Sequence, residues 1–288
     1  MPDLSALYGV IGLLLPCEVM QARFMQQALL GLLLLTPMTA VMGILVVNFR
    51  MSFFADAISH SAFAGVALGL LLSLNPDWTM PVFGLIVGLG IMFMQRHSAL
   101  SSDTVIGVFF SAVVAFGLAI VSRNSSLARD LQRFLYGDIL TINDPQICAL
   151  FGLFVIVICF QVLCYNHLLY IGLNPTLAQA HRIRVAALQY LFTGLLALIV
   201  MFAVQAVGVL LVTALLIVPA AAARNLARSA GSMFWWSQLI SLSSAVAGLL
   251  ISAQDWAQTA TGATIILLAC LWFVCSLGIS YLRGRRIF

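Results

Sequence analysis

The 288-residue chain is 63% hydrophobic and 8% charged, where an average soluble domain carries about 25% charged residues. This excludes a soluble globular fold and marks a polytopic membrane protein. The net charge of +4 rests on 13 basic residues, all arginine. Without lysine there is no Walker A loop, whose lysine reaches the nucleotide phosphates, so any ATP hydrolysis belongs to another polypeptide.

Taken in chain order, residues 4–15 are apolar but lack a basic n-region and an A-x-A site before Pro16. They read as a partial or interfacial helix, and no cleavable signal peptide is expected. A membrane span needs about 20 apolar residues. Candidates follow at 26–48, 53–74, 80–95, 104–122, 146–165, 186–204, 207–223, 234–253 and 262–282. The third is short, so eight or nine transmembrane helices are expected, in one all-α domain over 1–288. Residues 1–25 form an N-terminal extension and 166–185 a cytoplasmic loop. Because 186–223 is too long for one span, a tight turn is expected at Gln205. Pro37 and Pro219 interrupt apolar runs and kink their helices, either as hinges or as ordinary packing. The six cysteines (17, 148, 159, 164, 270 and 275) show no CxxC spacing and read as small buried hydrophobes.

Arginine placement orients the chain. If 49–52 faces the cytoplasm, alternation puts 96–103, 166–185, 224–233 and the C-terminus there. Those segments hold Arg50, Arg96, Arg182, Arg184, Arg224, Arg228, Arg283, Arg285 and Arg286. The other side receives Asp77, Asp255 and loop 123–145, where Arg123, Arg129 and Arg133 are offset by Asp130, Asp138 and Asp144. A multi-pass membrane protein with a cytoplasmic C-terminus is expected.

Within the second span, Asp56 and His60 stand one helical turn apart in an apolar run and project from one side of the helix. Burying either in hydrocarbon is costly, so an intramembrane pair of this kind is a functional-site hypothesis. One oxygen and one nitrogen donor suit a divalent transition metal. Counting at 1.5 Å per residue puts Asp56 about 9 Å and His60 about 15 Å from Arg50, near the midplane where transporter sites lie. Ser59, Phe63 and Ala67 share this side, and Ser59 and Phe63 are candidates for lining a pathway. Gly65 and Gly69 fall opposite, as a small-xxx-small packing stripe. The bland alternative is that Asp56 and His60 pair with each other and pin helices together.

Other polar positions are weaker. Asp103 before Thr104 reads as an N-cap. His97 adjoins Arg96 at a solvated helix end, while His167 and His181 lie outside the spans. In segment 172–185, Asn174 can cap a short helix begun by Pro175. Leu177, Ala178 and Ile183 would then leave an apolar patch on a basic loop. It suits a protein partner, or a helix lying on lipid headgroups.

Four stretches, Arg50–Ser61, Asp103–Gly107, Phe134–Leu140 and Val207–Ala221, together make residues 20–285 resemble the permease subunits of bacterial ABC importers for zinc, manganese and iron. The resemblance implies a homodimeric, all-helical permease of the cobalamin-importer-like (type II) class in the bacterial inner membrane. It implies a cytoplasmic ATP-binding subunit dimer and a periplasmic or lipid-anchored metal-binding protein as partners. It also implies that Asp56 and His60 coordinate the transported ion, Zn2+, Mn2+ or Fe2+ with zinc favoured, and that 174–184 is the coupling helix on the ATPase. The family pattern has an acidic residue after the proline and a glycine near the helix end, where this chain has Thr176 and Arg182. No permanently bound cofactor and no enzymatic activity of its own are expected. The alternative is a proton-coupled secondary metal transporter in which the pair relays protons. An intramembrane metallohydrolase lacks support, since no HExxH or comparable cluster is present.

Overall fold

The computed structural model describes residues 21–122, 139–254 and 256–283. Ten α-helices are seen there: α1 (Arg23–Asn48), α2 (Phe54–Leu71), α3 (Pro76–His97), α4 (Ser102–Val121), α5 (Asp144–Leu173), α6 (Pro175–Ala180), α7 (Val185–Val207), α8 (Val209–Leu226), α9 (Ala230–Ser252) and α10 (Thr261–Leu282). All but α6 are long and apolar enough to cross a membrane, nine candidate spans among the described residues. The expectation of an all-α polytopic fold holds. Segment 4–15, Cys17, loop 123–138, Asp255, Arg285 and Arg286 lie outside the described residues.

Helix ends follow local chemistry more closely than apolar runs suggest. The third span is not short. The Asn75 side chain accepts from the Asp77 N–H at 2.9 Å and Pro76 occupies the first turn, so α3 gains a polar turn before its apolar stretch begins. The turn expected at Gln205 lies instead at Gly208, whose φ of 83° suits a residue without Cβ. Gln205 stays helical, and its side-chain amide donates to the Asp77 carbonyl of α3 at 3.3 Å. Helix α5 runs to Leu173, 30 residues in all. The first part of the expected loop 166–185 is therefore helix, and His167 sits within α5. Nothing breaks the helix before Asn174-Pro175.

Three non-glycine residues take left-handed backbone just after helices: Arg50 (φ 55°), Ser73 (φ 55°) and Arg182 (φ 58°). Each closes a Schellman turn. The N–H of Met51 bonds the Val46 carbonyl, that of Leu74 the Gly69 carbonyl, and that of Ile183 the Ala178 carbonyl, at 3.0, 2.8 and 3.1 Å.

The core lies where α1, α2, α7 and α8 meet. Small residues permit the close approaches that drive helix association in lipid. A Cβ on Gly43 of α1 would collide with the Leu216 carbonyl of α8. On α2, Gly65 faces Met80 and Phe83, and Gly69 faces Thr79, whose hydroxyl donates to the Gly65 carbonyl at 3.1 Å. The glycine stripe read from helical phase is thus the α2–α3 contact. Between α9 and α1, Ser237, Gln238 and Ser241 donate to the carbonyls of Ala40, Pro37 and Thr36 at 3.1, 3.2 and 3.4 Å.

Candidate metal site and coupling helix

Asp56 and His60 lie in the first and second turns of α2. Because residues 49–53 form a turn closed by left-handed Arg50 rather than helix, counting from Arg50 overstates their depth. At 1.5 Å per residue, His60 is about 9 Å from the start of α2 at Phe54 and within about 4 Å of that helix's midpoint. Both side chains are half-buried. Asp56 interacts electrostatically with His60 one turn on and with the Thr213 hydroxyl of α8. The His60 ring meets Phe110 of α4 edge to face, centroids 5.2 Å apart.

These two residues open onto a cavity of about 530 Å³ between α2 and α4, lined by Phe53, Asp56, His60, Asp103, Ile106, Gly107 and Phe110. A carboxylate oxygen and an imidazole nitrogen one turn apart, facing a cavity, can share a divalent cation while leaving positions for water or a further ligand. Ser59 is fully buried, and its hydroxyl finds no hydrogen-bond partner among the described residues. Phe63 packs against Gly117 of α4.

Asp103 requires a correction. The N-cap of α4 is Ser101, whose Oγ accepts from the Thr104 N–H at 3.2 Å; Asp103 lies in the first turn and faces the cavity instead. Sequence reasoning missed it and Thr213 as neighbours of the pair. The available signal was that both fall within the stretches carrying the family resemblance.

The segment after α5 folds as its caps dictate. The Asn174 side chain accepts from the N–H groups of Thr176 and Leu177 at 3.0 and 3.1 Å, and Pro175 opens α6. The apolar patch differs from expectation. Leu177 is exposed, but Ala178 is fully buried and Ile183 packs against the core, because the Schellman turn folds Ile183 back over Ala178. Leu173, 85% exposed, joins Leu177 as apolar surface at this corner. The left-handed backbone at Arg182 (φ 58°) is one that glycine adopts without strain, consistent with the glycine that the resemblance implies there.

Residues 21–280 match the family model of the ABC 3 transport family. The chain is 33% identical over 250 residues to the high-affinity zinc uptake system membrane protein ZnuB of Haemophilus influenzae, covering 87% of this chain and 95% of that protein. It is also 33% identical to the manganese import system permease protein ScaB of Streptococcus parasanguinis, over 89% and 90%. Among solved structures it is similar to a chain of PsaBC from Streptococcus pneumoniae in complex with Fab, with a TM-score of 0.76, 30% identity, and 94% and 95% of the two chains covered. With nearly its whole length matched, this chain belongs to the ABC 3 transport family.

Proposed function

We propose that the chain is the membrane permease of an ABC importer that carries a divalent transition metal ion into the cytoplasm, with Asp56 and His60 as its intramembrane ligands. The observation that carries this reading is the cavity into which an oxygen and a nitrogen donor project from one face of the first two turns of a helix. Nitrogen and oxygen donors suit zinc, manganese and ferrous iron alike, and a zinc-named and a manganese-named relative are equally identical to the chain. Zinc is the first metal to test.

Both donors must be deprotonated to bind the ion. Two donors hold it weakly, as a conduit requires, with water, Ser59 or groups of a second protomer completing the shell. The Ser59 hydroxyl is unpaired among the described residues but fully enclosed, and it does not line the cavity, which leaves water or a second protomer as the nearer source of further ligands. Helix α4 turns Gly107, Ser111, Ala115 and Ala119 outward, a small-xxx-small face suited to a second copy. Among the described residues, Arg50, Arg96, Arg182, Arg184, Arg224, Arg228 and Arg283 lie in the last turn of a helix or beside a helix end at one end of the bundle, and Arg23 is at the other. The arginine-rich end is therefore cytoplasmic. There α6 offers Leu177, with Asn174 and Pro175 shaping the helix and Ala178 and Ile183 anchoring it, as the seat of the ATP-binding subunits. A binding protein delivers the ion on the opposite side.

The test is metal-resolved uptake in cells, with and without the chain and its ATPase. Asp56→Ala and His60→Ala are expected to lower uptake by about tenfold or more while membrane insertion persists. Normal uptake by both variants refutes the site. Uptake that persists without the ATPase but stops when the proton gradient is collapsed favours the proton-coupled reading instead.

A further inference from the structure

The cavity contains one ionisable side chain for which the Asp56–His60 pair gives no account. Asp103 reaches it from the α4 wall. Capping does not occupy Asp103, since Ser101 both caps Thr104 and shares a 2.7 Å hydroxyl contact with it. Among the described residues, no hydrogen bond or ion pair engages the Asp103 carboxylate.

The lining residues recur at helical spacing on both walls. Phe53, Asp56 and His60 come from the α2 side, and Asp103, Ile106, Gly107 and Phe110 from α4. The contact between the His60 and Phe110 rings sets the register of the two walls. Seven residues back from Phe110 is about 10 Å along α4. Asp103 therefore stands level with Phe53, at the end of the cavity nearest the arginine-rich face, with Asp56 between it and His60. Among the described residues, no three His, Cys, Asp or Glu side chains converge on one metal position, so Asp103 is not a third ligand of the pair. All three ionisable residues line the same cavity, and a Cβ on Gly107 of its α4 wall would meet nothing within 4 Å.

We propose that Asp103 is a second cation station at the mouth of this cavity, accepting the divalent ion after Asp56 and His60. The proposal rests on the reading of that pair as metal ligands. An ion leaving them must emerge at a face bearing Arg50, in the turn before α2, and Arg96, in the last turn of α3, whose charge opposes it. A carboxylate at the mouth offsets that field. Being exposed and lone, it holds the ion weakly enough for release. The competing structural role is a favourable interaction of the Asp103 carboxylate with the α4 dipole, which would not require metal.

Mn2+ binding to the purified full-length chain, followed by the electron paramagnetic resonance signal of free Mn2+, separates the two. The wild type is expected to show a tighter and a weaker class. Asp103→Asn weakens the weaker class about tenfold, Asp103→Glu restores it, and His60→Ala removes the tighter class alone. Asp77→Asn, a matched charge loss outside the cavity, changes neither. An Asp103→Asn isotherm superimposable on wild type overturns the second station, as does an equal loss in Asp77→Asn. A tighter class unmoved by His60→Ala overturns the pair itself, a separate outcome read from a separate variant.

Discussion

A left-handed residue with a long side chain carries a local cost that its neighbours must hold in place. Arg182 takes φ 58° at the end of α6, and for a residue with Cβ this region costs about 1–2 kcal/mol. Glycine there removes that penalty but loses about 0.5–1 kcal/mol to chain entropy. Arg182→Gly is therefore expected to leave stability unchanged or raise it by up to about 1.5 kcal/mol, read by thermal unfolding in detergent. At Asp56 and His60 the residue-scale prediction concerns protons. On the proposed reading, metal displaces protons from the carboxyl and the imidazole that bind it, so the metal concentration giving half-maximal uptake should rise as pH is lowered. A half-saturation independent of pH would count against His60 as a ligand.

Among the elements, the contacts that place the site are backbone approaches rather than large side chains. Helix α8 brings Thr213 towards Asp56 and lies against α1 at Gly43. Gly43→Val inserts methyl groups against a backbone carbonyl that cannot move alone. It is expected to destabilise the protein by about 1–3 kcal/mol, the range for overpacking. Gly107→Ala, inside α4 and facing open space, is expected to raise stability by about 0.5–1 kcal/mol, and the pair can be compared in one melting assay. Helix α6 makes the complementary case. Asn174 and Pro175 shape it, and Leu177 is exposed. Leu177→Asp should spare insertion and metal binding by the permease yet reduce uptake by disrupting ATPase docking. Co-purification of the ATP-binding subunit reads this directly.

At the scale of the molecule, the nine membrane-length helices among the described residues and the arginines gathered at one end of them argue for a single orientation. A green fluorescent protein fused after the last residue should fluoresce, and alkaline phosphatase fused at the same point should be inactive, if the C-terminus is cytoplasmic. The reverse pattern would invert the assignment of entry and exit sides, and with it the order His60, Asp56, Asp103.

Nine apolar stretches were readable because a span is a local property: about 20 consecutive apolar residues suffice, whatever surrounds them. Asp56 and His60 stood out for the same reason, two ionisable residues one turn apart in such a stretch. Helical phase alone assigned Gly65 and Gly69 to a packing face, and Asn174-Pro175 announced α6. Boundaries were less legible. Caps such as Asn75 and the positive φ at Gly208 act through one or two residues that a window of hydropathy averages away. What the sequence could not disclose was which side chains from different helices share a space. Asp103 read as a cap and proved to face the cavity, Ala178 and Ile183 read as surface and proved to be packed inward, and Thr213 gave no isolated signal. Lipid and helix interior are alike apolar, so hydropathy does not tell the two faces of a membrane helix apart. Only the lateral packing of α2 against α4 and α8 decides what Asp56 and His60 confront.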